Sequence, residues 1–116
     1  MSDVIWSIKN GELDQVQASV GEKSSILNTK YNGRYPLHYA ADYGQHEVLE
    51  YLINMGAEID VTDNHGITPL LAAVWEGHTR CVKLLLDKGA NKHGKTPNGV
   101  SYLEVAEKDE IKQLLS

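Results

Sequence analysis

Histidine and cysteine are the side chains of this sequence that could bind a metal or act as a nucleophile. They are His38, His46, His65, His78, His93 and Cys81. A zinc site on a helix needs two histidines at i, i+4, and no two of these have that spacing. Cys81 lies in the mostly apolar run Cys81-Val82-Lys83-Leu84-Leu85-Leu86, where we expect it to pack and not to act as a nucleophile. The sequence therefore predicts packing and hydrogen-bonding roles for these residues, with no metal and no cofactor.

Catalytic motifs give the same result. The sequence holds no P-loop, no G-x-G-x-x-G, no G-x-S-x-G and no H-E-x-x-H. His46-Glu47 begins like the last of these, but no second histidine follows at the required distance. We therefore expect a protein that is not an enzyme.

Composition and charge indicate the kind of partner. Hydrophobic residues make up 41% and charged residues 23%, as in folded soluble proteins. The net charge is −5, which disfavours nucleic acid and is compatible with a basic protein surface. No apolar run approaches the ~20 residues of a membrane span, and the N-terminus does not read as a secretory signal. The expectation is a cytoplasmic monomer, small enough at 12.9 kDa to enter the nucleus without active import.

The whole chain repeats with a period of 33 residues. The series that share this period are Gly33, Gly66 and Gly99; Gly11, Gly44 and Gly77; Leu37, Leu70 and Leu103; Ala40, Ala73 and Ala106; and Val16, Leu49, Val82 and Leu115. Each copy has the pattern turn, helix, turn, helix. Thr68 and Pro69 fit the start of a first helix, and Gly44 and Gly77 fit helix ends in the left-handed conformation. Ser101 and Glu104 form a capping-box pattern in the last copy.

Two long stretches carry a family resemblance: PLHYAADYGQHEVLEYLINMGAEID and TPLLAAVWEGHTRCVKLLLDKGANK. They resemble successive repeats of the ankyrin-repeat family, whose period is 33. The resemblance implies one all-α domain, 1–116: an ankyrin solenoid of four repeats with short β-turn tips. The approximate repeats are 1–29, 30–62, 63–95 and 96–116, of which the first and last are atypical.

The family's T-P-L-H motif is incomplete here. In the family, its Thr and His hydrogen-bond to neighbouring repeats. The second copy has Tyr35 and His38, and the third has Thr68 and Leu71, so each keeps one half. We expect modest stability as a result, since a hydrogen bond nets about 1 kcal/mol.

The resemblance also implies where a partner binds, because ankyrin partners usually contact the turn tips and the exposed flank of the first helices. The two residues before each helix-ending position should face outward; these pairs are Lys9-Asn10, Asp42-Tyr43, Trp75-Glu76 and Lys108-Asp109. The candidate partner-binding residues are Trp6, Arg34, Tyr35, Asp42, Tyr43, Trp75 and Glu76. Two alternatives stay open: Trp6 covers the end of the core, or the charged residues are only solvated. We expect Tyr39, Tyr51 and Tyr102 to pack between repeats.

A narrower resemblance concerns WSIKNGELDQV, GRYPLHYAADYGQ, ITPLLAAVWEGHTRCVKLLLDKGA and EIKQLLS. These stretches are similar to small, all-ankyrin proteins that bind the heterodimeric (alpha/beta) actin capping protein. The resemblance implies a capping-protein inhibitor that leaves filament barbed ends open to growth. Two other hypotheses remain: an adaptor for another partner, such as a transcription regulator related to nuclear factor kappa-B, or a scaffold subunit.

Overall fold

The computed structural model describes residues 4–116, which form eight α-helices and a short 3₁₀ helix. The α-helices are α1 Val4–Lys9, α2 Leu13–Glu22, α3 Pro36–Asp42, α4 His46–Asn54, α5 Pro69–Glu76, α6 Thr79–Asp87, α7 Tyr102–Val105 and α8 Asp109–Leu115. The 3₁₀ helix, Ser24–Asn28, follows α2. Residues 4–116 contain no extended strand, but two isolated bridges, Tyr31 with Arg34 and Lys95 with Ser101, close turn tips.

The helices form two layers. The first helices of the four copies, α1, α3, α5 and α7, pack side by side in chain order. The second helices, α2, α4, α6 and α8, form a parallel row against them, and the body measures 40 × 24 × 21 Å. The prediction of an all-α solenoid of four helix pairs is confirmed, while the exact repeat boundaries stay a prediction.

Most of the apolar residues that recur every 33 positions lie in the core between the layers, and Leu103, which is 39% exposed, is an exception. Ala40 and Ala73 are fully buried, and their small side chains let neighbouring first helices approach closely. The second helices bury Leu49, Val82 and their equivalents. Burial of one such aliphatic side chain stabilises the fold by roughly 1.5–3 kcal/mol. Tyr39 and Tyr102 are also buried and contact the preceding repeat, through Lys9 and Thr68, as predicted. Tyr51 packs against the core, and its place between repeats stays a prediction.

Adjacent repeats are joined by side chains that bind the carbonyl end of the preceding first helix. Gln45 Nε2 donates to the Lys9 carbonyl at 2.8 Å, and His78 Nε2 lies 2.9 Å from the Asp42 carbonyl oxygen. Gly44 has φ +70°, and a Cβ built on it would lie 2.7 Å from His78 Nδ1. Glycine is therefore required there both for its conformation and for space.

The incomplete T-P-L-H motifs still connect repeats. The Tyr35 amide donates to His38 Nδ1 at 3.1 Å, and His38 Nε2 lies 2.7 Å from the Ile67 carbonyl oxygen. The predicted hydrogen-bonding role of His38 is thus confirmed. In the third copy, Thr68 Oγ1 accepts from the Leu71 amide at 3.2 Å, as predicted for a helix cap. The same oxygen lies 2.9 Å from the Tyr102 hydroxyl, which supplies a link to the last repeat.

The last copy differs from the prediction for Lys108 and Asp109. Instead of ending a first helix, Lys108 precedes α8 and Asp109 begins it, because α7 already ends at Val105. Position 110 holds glutamate where the other copies have a turn-forming glycine, and the Asp109-Glu110 pair suits the start of a helix better than the end of one. Asp109 and Glu110 then lie in the first turn of α8, where negative charge is favourable. Lys108 Nζ donates to the Gly77 carbonyl at 2.7 Å and so joins the last two repeats.

Candidate protein-binding surface

Three aromatic side chains on or next to the first helices are exposed to solvent. The exposed fractions are 59% for Trp6, 46% for Tyr43 and 45% for Trp75. On α5, residues 69–74 are buried, and exposure begins at Trp75 and continues at Glu76. The predicted outward position of these residues is confirmed; their role in binding stays a prediction. We call the set Trp6, Arg34, Tyr35, Asp42, Tyr43, Trp75 and Glu76 the binding strip.

The 33-residue period aligns part of the strip. Lys9, Asp42 and Trp75 occupy the same position on α1, α3 and α5, which pack side by side. Their side chains therefore follow one another across the first-helix layer. This row places an ammonium group, a carboxylate and an indole in neighbouring repeats.

Trp6 lies one helical turn before Lys9. Its equivalents in the next two repeats, Tyr39 and Ala72, are only 5% and 3% exposed. Within the described residues, no helix packs against the side of α1 opposite α3, so the indole faces water. A side chain with this exposure covers little of the core, which favours the binding interpretation of Trp6 over the end-cap alternative.

Lys9 also belongs to this surface. The sequence indicated it only as the residue 33 positions before Asp42, and not as a candidate binding residue. Its Nζ lies 5.4 Å from the ring centroids of both Tyr39 and Tyr43. Such cation–π contacts contribute about 0.5–1 kcal/mol at exposed sites. Lys9 thus fixes the Tyr43 ring between the two tryptophan-bearing helices.

Arg34 and Asp42 are brought together by the fold. Arg34 Nη1 lies 3.5 Å from Asp42 Oδ2, and both side chains are about a quarter exposed. The guanidinium also lies over the Tyr39 ring, 4.9 Å from its centroid, and near Asp63 Oδ2 at 3.8 Å. Asp42 therefore has a cationic partner within its own chain, which sequence spacing did not indicate.

Tyr35 is less available than the other aromatic residues of the strip. Its half-buried ring stacks on His38 with a centroid distance of 6.0 Å, and Lys30 Nζ lies 5.7 Å above it. Part of its surface is thus used within the chain. The residue is only partly exposed.

Glu76 is the free acid of the strip. Within residues 4–116, its carboxylate has no ion-pair or hydrogen-bond partner, and the residue is exposed. It lies in the last turn of α5, where a negative charge opposes the helix dipole. Helix stability therefore gives no reason for this residue.

Two of the histidine and cysteine side chains, His38 and Cys81, are buried. Burial lowers the pKa of His38 from its ordinary value and raises the pKa of the Cys81 thiol to about 11. Cys81 is 1% exposed, consistent with packing. Among residues 4–116, no three His, Cys, Asp or Glu side chains gather as metal ligands would.

Comparison with known proteins decides the family. The family model described as ankyrin repeats (3 copies) matches residues 4–96. The chain belongs to the ankyrin-repeat family. This assignment confirms the resemblance that its sequence showed.

Several ankyrin relatives differ in how much of their length matches. The chain is 51% identical over 113 residues to myotrophin of Xenopus tropicalis, covering 97% of this chain and 96% of that protein. It is 34% identical over 90 residues to a putative E3 ubiquitin-protein ligase, XBAT31, of Arabidopsis thaliana, covering 76% of this chain and 20% of the ligase. It is 37% identical over 91 residues to 26S proteasome non-ATPase regulatory subunit 10 of Dictyostelium discoideum, covering 77% of this chain and 39% of that subunit.

The ankyrin fold and the similarity to myotrophin identify a protein-interaction module. Stacked repeats present an extended surface on which turn tips and first helices are exposed. None of the described helices is both long and apolar enough to cross a membrane. The binding strip lies on the first helices, directly after α3 and on the turn tip before α3.

Proposed function

We propose that this chain binds the heterodimeric actin capping protein and keeps it from attaching to filament barbed ends. The partner is the one implied by the narrower sequence resemblance. The similarity to myotrophin supports the proposal because it spans nearly the whole of both chains. Filament ends would then remain open to elongation, and the protein would act in the cytoplasm.

The observation that carries this proposal is the exposed pair Trp75 and Glu76 at the end of an otherwise buried helix. The indole keeps 45% of its surface open to solvent, and the acid opposes the helix dipole. Trp, Tyr and Arg are the residues most enriched among interface hot spots. An aromatic anchor beside a free carboxylate fits an apolar pocket flanked by a lysine or arginine of the partner.

The remaining strip residues extend the same contact. Trp6 and Tyr43 provide further aromatic surface toward the first repeat, and Tyr35 adds the exposed part of its ring. Arg34 and Asp42, which pair with each other, add a polar contact. The net charge of −5 favours encounter with a basic partner surface.

Calorimetric titration of purified capping protein tests this assignment. Trp75→Ala should weaken binding about thirtyfold or more if the indole is a hot spot. Met55→Ala is the matched control, because Met55 is 48% exposed but lies at the end of α4, in the other layer. If Trp75→Ala binds with wild-type affinity, the strip is not part of the interface. If the wild type itself does not bind capping protein, the proposed function is wrong.

A further inference from the structure

A buried carboxylate lies behind the binding strip. Asp63, in the turn before α5, has a side chain only 2% exposed. Its Oδ1 accepts hydrogen bonds from the amides of His65 at 2.8 Å and Ile67 at 3.0 Å. Its Oδ2 lies 3.8 Å from Arg34 Nε. One oxygen thus holds the turn, and the other faces a residue of the preceding repeat.

The next repeat shows that the turn itself does not need a carboxylate. Thr96 stands 33 residues after Asp63 and is equally buried. Its Oγ1 accepts from the Val100 amide at 3.1 Å, as Asp63 Oδ1 does from Ile67. The backbone pairing is also the same, from Thr96 N to the Val100 carbonyl and from Asp63 N to the Ile67 carbonyl. Asp63 differs from Thr96 in its additional bond from the His65 amide, in its second oxygen and in its charge. The latter two are available for another use.

That use is the orientation of Arg34. The guanidinium lies between Asp63 and Asp42, with Nε toward the first and Nη1 toward the second. The Tyr39 ring supports its face. A planar guanidinium can meet two carboxylates in fixed directions, which a lysine ammonium cannot do as well.

We propose that Asp63 is a positioning residue of the binding strip: it holds Arg34 in place and, through Arg34, Asp42. This inference rests on the proposed function for the identity of the partner. Asp63 itself is too buried to touch a partner. Its contribution is preorganisation, because an arginine that is already held loses less side-chain freedom when a partner binds.

Asp63→Thr tests the proposal, since Thr96 shows that threonine can hold this turn. We expect the variant to keep the far-UV helical signal and to bind capping protein about threefold to tenfold more weakly. In an Arg34→Met background, Asp63→Thr should cause no further loss of affinity, because its effect passes through Arg34. Asp87→Asn is the control: it removes a carboxylate paired with Lys83 on α6, in the other layer, and should bind like the wild type.

Two results would overturn the proposal. One is that Asp63→Thr binds with wild-type affinity; the other is that Asp63→Thr lowers the affinity equally in the wild type and in the Arg34→Met background. The free protein gives a second readout, the NMR resonance of the Arg34 Nε–Hε group. Its chemical shift should differ from the wild-type value in Asp63→Thr and should equal that value in Asp87→Asn. An unchanged resonance means that Asp63 does not hold Arg34. If the wild type does not bind capping protein, the proposed function fails, while the resonance still decides whether Asp63 positions Arg34.

Discussion

The carboxylate of Asp42 lies 3.5 Å from the guanidinium of Arg34, so these two residues of the binding strip are paired before any partner arrives. Glu76, in the next repeat, has no such partner among the described residues. The strip therefore contains one internally balanced charge pair and one free acid. We therefore propose that Glu76 pairs directly with a cation of the partner.

Glu76→Gln should change stability and binding in opposite directions. Removing a negative charge from the last turn of α5 should raise the free energy of unfolding by about 0.3 kcal/mol. Losing the partner's ion pair should weaken capping-protein binding at least about fivefold, and the salt dependence of the affinity should decrease. Urea unfolding and calorimetry at two salt concentrations measure these effects. A variant that binds as tightly as the wild type would show that Glu76 is only a solvated charge.

Gly44→Ala should destabilise the fold more than Gly66→Ala. Both glycines have positive φ, which costs an alanine about 1–2 kcal/mol. At Gly44 the new methyl group would also displace His78 and its hydrogen bond to Asp42, adding about 1 kcal/mol, whereas nothing lies within 4 Å at Gly66. Urea unfolding of the two variants measures the difference. Equal losses would mean that the His78 link does not hold the repeats together.

Stability should fall as the pH drops below the ordinary histidine range because of His38. Burial lowers its pKa, because removal from water disfavours the charged ring, and the hydrogen bond to the Ile67 carbonyl opposes part of this shift. The nearby Asp63 opposes this shift, and Arg34 reinforces it. The unfolded chain then binds a proton more readily, so the stability from His38 is complete above about pH 6.5 and is lost as the pH falls toward the folded-state pKa.

His38→Leu checks this pH dependence, because Leu71 occupies the equivalent place in the next repeat. The variant should be less stable at neutral pH, with the Tyr35 amide unpaired. Between pH 7.5 and 5, however, it should lose less stability than the wild type. The comparison is made by urea unfolding at each pH. Parallel losses in the two proteins would show that His38 is not the titrating group.

Cys81 should be unreactive in the folded protein. Burial leaves it 1% exposed and raises its thiol pKa to about 11. Labelling by a thiol reagent at pH 8 should be at least about a hundredfold slower in buffer than in urea, because the thiolate is the reactive form. Similar rates in the two solutions would mean that α6 opens readily.

The periodic features of this molecule were predictable from its sequence, and the side-chain pairs between turn tips and helices were not. The 33-residue period, the Thr68 cap and the turn at Gly44 depend on local backbone preferences that residue types reveal. The Arg34 pairing with Asp42 and Asp63 depends on how two turn tips and a helix meet, which no local pattern encodes. The early end of α7 was not predicted. Glutamate in place of glycine at position 110 shows that the last copy departs from the pattern, but not where its first helix ends.

Growth of actin filaments from seeds in the presence of capping protein tests the central claim most directly. Capping protein alone should halt growth, and wild-type protein in excess should restore it. The Trp75→Ala, Glu76→Ala double variant should fail to restore growth while keeping its far-UV helical signal. If growth stays halted with the wild type at high micromolar concentration, the account of this chain as a capping-protein inhibitor is wrong.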